Sequence, residues 1–319
     1  MKKLVLILLV LLIANSGNTQ IKADDIGIIV LNSYLPNSIN LPEEAKNILL
    51  NKLTQITTNN GIAGSQINPR FIITANINVG TKDIIAGPPQ MIAQNIDVIL
   101  FIGDAIDNVI FSNTTLSLKG VGTNENKAFI DAIKNINPKS KAVMSLLEEG
   151  KNKIINYYNA QCDYILTEAS TLAKQVKFDE AIYNLSVIPK VCKDCSNKAS
   201  TLIESIYQQK INSICIEKYN QAKIIWAGVQ NISTAATALN TLTGINPNAS
   251  CNTDIQVLIK EINSKLIADE KVQLELIMKK YNDKIRLEEK QIDAIKEIAV
   301  EFAKNQQKKI FNNNNIYWR

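Results

Sequence analysis

The 319-residue chain contains no histidine. That absence removes Ser-His-Asp and Cys-His constellations, whose general base is an imidazole, and takes away the commonest acid–base side chain. Zinc would have to be held by cysteines and carboxylates alone. Aromatic residues are scarce, at 6%, so the stacking platforms of single-strand binders are missing. The formal charge is +5, from 35 basic and 30 acidic residues, with no basic stripe. Nucleic-acid recognition by phosphate neutralisation is therefore not expected. No apolar run reaches the ~20 residues that a membrane-spanning helix needs. Asn, Ile and Lys are abundant, as in NNNN at 312–315, and read as compositional bias, not as a functional tract.

What is present begins with MKKLVLILLVLLIANSGNTQ. Lys2 and Lys3 precede an unbroken apolar run from Leu4 to Ala14, the length of a signal-peptide core, followed by small and polar residues. Cleavage between Ala14 and Ala23 is expected, with no cysteine nearby to accept a lipid. The mature chain is then exported to the periplasm and has no membrane span.

After this signal peptide (1–23), residues 24–139 read as an α+β domain. IGIIVLNSYL (26–35) is a β-rich apolar run. PEEAKNILLNKLTQITTNNG (42–61) has Pro and acids in its first turn, a spaced apolar face and Gly61 as a stop, which predicts an amphipathic helix. RFIITANINVG (70–80), NIDVILFIGD (95–104) and NVIFSNTTLSLKGVG (108–122) are strands, with the segment after Gly80 read as turn-rich. TNENKAFIDAIKNINP (123–138) is a second helix with Thr123 as its expected cap. The order is β-α-β-β-β-α.

From Ser140 the pattern is helical. Two units repeat, one running from Cys162 to Cys195 and one from Cys215 to Cys251. Each starts at a cysteine, runs one helix, turns, runs an Ala/Leu-rich helix, meets a proline (Pro189, Pro247) and closes on a cysteine. KFDEAIYNLSVIP resembles the second helix of a tetratricopeptide repeat, so residues 140–254 are read as TPR-like hairpins joined by connecting helices. In FDEAIYNL, Phe178, Ala181, Ile182 and Leu185 share one helical face and should pack against the preceding helix. Residues 255–319 read as one long charged helix, with apolar positions from Ile255 to Ile285, and a polar tail. The fold class is α+β, a small N-terminal domain followed by an all-α array.

KVCKDC (190–195) raises the main chemical question. A C-x-x-C pair can belong to a zinc site, a redox couple, buried thiols or structural disulfides. Export favours disulfides. In each unit the first and last cysteines sit at opposite ends of a hairpin, so folding should bring them together: Cys215 with Cys251, and Cys162 with either Cys192 or Cys195. Loops of that size contribute ~3–4 kcal/mol in the chain-entropy model. A redox role would want a helix N-terminus on a thioredoxin-like βαβ unit, a context the helical array does not offer.

The remaining candidates read as structural. KGVGTNEN (119–126) has neither G-x-G-x-x-G nor G-K-[ST] and is expected to be a tight strand-to-helix turn, not a phosphate cradle. Glu43 and Glu44 complement a helix N-terminus; Asp24-Asp25 and Glu148-Glu149 suit solvated faces. Tyr157, Tyr158 and Trp226 fall at helical positions that suit a core. No catalytic, cofactor or metal residue is assigned.

SLKGVGTNENKAFIDAIKNI, within its strand and helix order, resembles the small α+β domain of exported bacterial assembly proteins related to the curli secretion channel. YYNAQCDYILTEASTLAKQVKFDEAIYNLSVIPKVCKDC and MKKYNDKIRLEEKQIDAIKEIAVEF, with the signal peptide and the α+β domain, look like an uncharacterised exported-protein family of Bacteroidota and their crAss-like phages. That resemblance implies a non-enzymatic virion component, a homo-oligomeric ring or tail part with other structural or assembly proteins as partners. A periplasmic TPR-like adaptor holding a protein partner is the second expectation, and a carboxylate-dependent enzyme the third.

Overall fold

The computed structural model describes residues 29–37, 39, 41–64, 70–266, 275, 278–279 and 291–312. The signal-peptide segment, Asp24-Asp25, the apolar positions Leu274, Ile277, Tyr281 and Ile285, and the end of the polar tail lie outside the described residues.

Mixed α+β architecture is what the chain adopts, in the order β1 (Asn32–Ser33), α1 (Glu43–Asn59), β2 (Phe71–Ile85), β3 (Met91–Asp104), β4 (Val109–Gly122) and α2 (Glu125–Lys134). The helical half follows: α3 (Lys141–Ala160), α4 (Cys162–Lys174), α5 (Phe178–Ser186), α6 (Lys193–Gly228), α7 (Ile232–Thr241), α8 (Asn252–Lys265) and α9 (Gln291–Asn312). The sheet runs β1-β2-β3-β4; β1 is parallel to β2 and the rest form an antiparallel meander. Alternation puts Ile73, Ala75, Ile96, Val98, Leu100 and Ile102 on the face that the helices cover.

Helix α1 begins at Glu43 with both acids in its first turn and buries Ala45, Leu49, Leu53 and Ile56, as the sequence pattern predicts. Helix α2 is capped by Asn124, whose Oδ1 accepts from the Lys127 N–H at 2.9 Å, and not by Thr123. The glycines of KGVG lie within β4, not in a turn. A Cβ on Gly120 would overlap the backbone of Ala128 and Ala132, and one on Gly122 the backbone of Lys127 and Ala128. Two glycines on one strand face thus let α2 lie directly on the sheet. Helix α2 also covers the outer edge of β4: Asp131 accepts from the Val121 N–H at 3.0 Å, and Asn135 donates to the Lys119 carbonyl at 2.9 Å.

Four elements depart from the sequence expectation. The first strand is two residues long, because the chain turns away after one short parallel pairing with Ile72 and Ile73. Strand β2 continues past Gly80 to Ile85; a bulge between Val79 and Lys82 absorbs the glycine, and the buried Gln94 amide donates to the carbonyls of Gly80 and Thr81 at 3.2 Å each. The connecting helix and the first helix of the second repeat are one 36-residue helix, α6. The expected single helix beyond 255 is divided: α8 ends at Lys265, where Leu266 is extended.

Helix α3, assigned with the repeats by sequence, packs on β4 and β3. Its Tyr158 meets Phe71 edge-on with ring centroids 6.0 Å apart, and Tyr157 meets Phe111 at 5.7 Å. Helices α4 and α5 form the first hairpin. Ala181, Ile182 and Leu185 are buried on one face and Phe178 is half-buried, as the spacing predicts. Trp226 is also buried, its indole N–H donating to Glu261 at 3.3 Å.

Candidate functional site

Local structure brings the cysteines together at two places. Cys162 opens α4 and is bonded to Cys195 in the first turn of α6, with Cα atoms 5.7 Å apart. Cys215, midway along α6, is bonded to Cys251 at the start of α8, with Cα atoms 6.0 Å apart. Both pairs close the ends of a hairpin. Cys192 is the free thiol. It is buried, and its Sγ donates to the carbonyl of Ile155 on α3 at 3.7 Å. The motif lies at a helix start within the helical array, not on a βαβ unit: Cys192 is the N-cap residue of α6 and Cys195 lies three residues into it. Burial pushes the Cys192 thiol above its ordinary value, so the position does not yield a standing thiolate.

A second cluster was not anticipated. Arg70, 7% exposed, immediately precedes β2 and donates from Nε to Asp104 Oδ2 at 2.6 Å; Asp104 is 1% exposed. The guanidinium also pairs with Asp107 through Nη2 and stands 5.8 Å from the centroid of the Tyr158 ring. Asp104 Oδ1 accepts from the N–H groups of Ile106 (2.8 Å) and Asp107 (3.0 Å), which fixes the β3–β4 turn. Burial opposes the charge on Arg70, but Tyr158, Asp104, Asp107 and Tyr183 outweigh it and hold its pKa above the ordinary value. Burial pushes Asp104 up from the usual carboxylate range, while Arg70 and the two N–H donors pull it back. Tyr158 and Tyr183 are raised by burial, partly countered by Arg70. Neither phenol has a hydrogen-bond partner among the described residues. The rarity of arginine was the available signal: Arg70 is one of three in a chain rich in lysine.

This cluster is a junction. Tyr183 of α5 stacks on Phe302 of α9 at 5.0 Å, and Val187, Ala303 and Ile106 of the β3–β4 turn complete the patch. Sheet, first hairpin and last described helix meet there. Of the other candidates, Glu43 ion-pairs with Lys46 at 3.2 Å, and Glu148 and Glu149 are exposed, Glu149 pairing with Lys153 at 2.6 Å. Among the described residues no three Cys, Asp or Glu side chains are grouped as metal ligands.

The outer half of the sheet is largely exposed. Beyond Ala75, β2 leaves the core, and Val79 and Ile84 are each 64% exposed. Its outer edge from Thr74 to Ile85 has no strand partner among the described residues.

The sequence matches no family model and no curated protein. Among solved structures, a minor lipoprotein from Acinetobacter baumannii is similar at 15% identity and a TM-score of 0.26, over 39% of this chain and 94% of that one. At that TM-score the likeness does not establish a shared fold. Two disulfides fit a protein that folds in an oxidising compartment outside the cytosol. No helix among the described residues is long and apolar enough to cross a membrane.

Proposed function

We propose that the chain is a non-enzymatic structural or assembly protein that self-associates after export. The observation that supports this reading is the open edge of β2. An extended strand edge without a strand partner among the described residues, flanked by exposed Val79, Ile84 and Ile85, is a surface that folded proteins normally cover or pair. Helix α2 covers the opposite edge of the same sheet, so the two edges are treated differently. The family resemblance carries the proposal further, to a ring or tail component of a crAss-like phage virion that contacts other structural or assembly proteins.

A periplasmic adaptor that binds a protein partner is the second reading. It draws on exposed apolar side chains of the helical array, Tyr164 on α4 (65%) and Ile224 on α6 (73%). Size-exclusion chromatography with light scattering on the purified protein separates the two. A defined species of several copies is expected. A monomer at every concentration overturns the self-association proposal and favours the adaptor.

A further inference from the structure

Three of the five cysteines lie on the segments where α3, α4 and α6 come together. Cys162 starts α4, immediately after α3 ends at Ala160. Cys195, its disulfide partner, lies in the first turn of α6. Cys192 sits one turn before Cys195 at the N-cap of that helix, with its Sγ held against Ile155 in the last two turns of α3. The other disulfide has no such neighbour, since Cys192 is the free cysteine of the chain and packs at the first junction.

We infer that the first disulfide is exchangeable within the chain: Cys192 can take Cys195 from Cys162, whereas Cys215–Cys251 is permanent. The C-x-x-C spacing across N-cap and first turn is a spacing at which paired cysteines form a disulfide at a helix start. The step is an isomerisation. The Cys192 thiolate attacks Sγ of Cys195, the Cys192–Cys195 bond forms as the Cys162–Cys195 bond breaks, and Cys162 leaves as a thiolate that takes up the proton lost by Cys192. Oxidation state is unchanged, and no external oxidant or reductant takes part. The product frees the start of α4 from α6 and moves the chain's single thiol from the N-cap of α6 to the α3–α4 corner.

Burial of Cys192 makes the exchange slow in the resting fold, because the thiolate is the nucleophile and burial alone raises its pKa. The rate should climb about tenfold per pH unit below that pKa.

The test uses the oxidised full chain, held folded between pH 6 and pH 9, quenched in acid, alkylated and mapped without reduction. Two isomers are expected: Cys162–Cys195 with alkylated Cys192, and Cys192–Cys195 with alkylated Cys162, the second forming faster at higher pH. Cys215–Cys251 should appear unchanged in every sample. Cys192→Ala should abolish alkylation of Cys162. Alkylation confined to Cys192 at every pH and time overturns the inference. So does alkylation of Cys162 that persists in Cys192→Ala, since that thiol would come from reduction and not from exchange.

Discussion

Arg70 and Asp104 lie 34 residues apart in sequence and meet at 2.6 Å, both almost wholly withdrawn from solvent. Neither has a periodic or motif context that marks it in the sequence. Their pairing fixes the entry to β2 against the exit of β3, the end of the sheet on which α3, α5 and α9 converge.

A buried ion pair is more sensitive to losing one partner than to losing both. Arg70→Ala leaves Asp104 buried without its counter-charge and should cost about 3–5 kcal/mol. The double change Arg70→Met with Asp104→Leu removes both charges and should recover a large part of that loss. Urea unfolding of the two variants measures the difference; equal destabilisation would mean that the pair is not coupled.

The tyrosines beside this pair predict an alkaline limit. Burial raises Tyr158 and Tyr183 above the ordinary phenol value of 10.0, so the folded chain holds these protons more tightly than the unfolded chain does. Stability from this source is full below about pH 10 and declines as pH rises toward the folded values. Tyr158→Phe removes a hydroxyl that has no partner among the described residues. It should leave the neutral-pH melting temperature unchanged or higher, and flatten the fall above pH 10. Thermal melts at pH 7 and pH 10.5 check both halves.

Gly120 is required by contact, not by turn geometry. Gly120→Ala drives a methyl group into the backbone of α2 and should destabilise by roughly 1–3 kcal/mol or more, as overpacking does. Glycine elsewhere in the chain provides the control: Gly228→Ala has nothing within 4 Å of the new carbon and should be close to neutral.

The second disulfide gives a quantitative expectation. It closes a separation of 36 residues, and its loss in Cys251→Ser should lower stability by about 3–4 kcal/mol in the chain-entropy model. Comparing denaturant midpoints of the variant and the parent, both oxidised, tests it. A shift under ~1 kcal/mol would mean that α6 and α8 are held by packing alone.

Much of the fold was legible because its signals are local. Pro42, the two acids after it and Gly61 bound α1, and the i, i+3, i+4 spacing of Phe178, Ala181 and Ile182 identifies the buried face of α5. Cysteine pairing was legible in part: position at hairpin ends gave Cys215 with Cys251, but nothing in KVCKDC separates Cys192 from Cys195, since a three-residue step along a helix start leaves both within reach of Cys162. The continuity of α6 had a readable signal in the absence of proline or glycine from Lys193 to Ala227. The extension of β2 past Gly80 is hidden in the sequence by the turn-rich look of GTKDIIAGPPQ, whereas an edge strand can place Lys82 and Asp83 in solvent. Beyond the rarity of arginine the sequence carries no sign of the Arg70 cluster, because its members come from β2's entry, the β3–β4 turn, α3 and α5, and only tertiary contact unites them.

The continuous α6 also decides how the helical half would carry tension. A pull between α4 and α8 follows the Cys162–Cys195 bond, the stretch of helix from Cys195 to Cys215, and the Cys215–Cys251 bond. That stretch, at 1.5 Å per residue, is a strut of about 30 Å whose ends are clamped covalently. Helices α5 and α7 lie outside the path and stay slack, so their packing would survive forces that a chain of plain helical hairpins would pass through every turn.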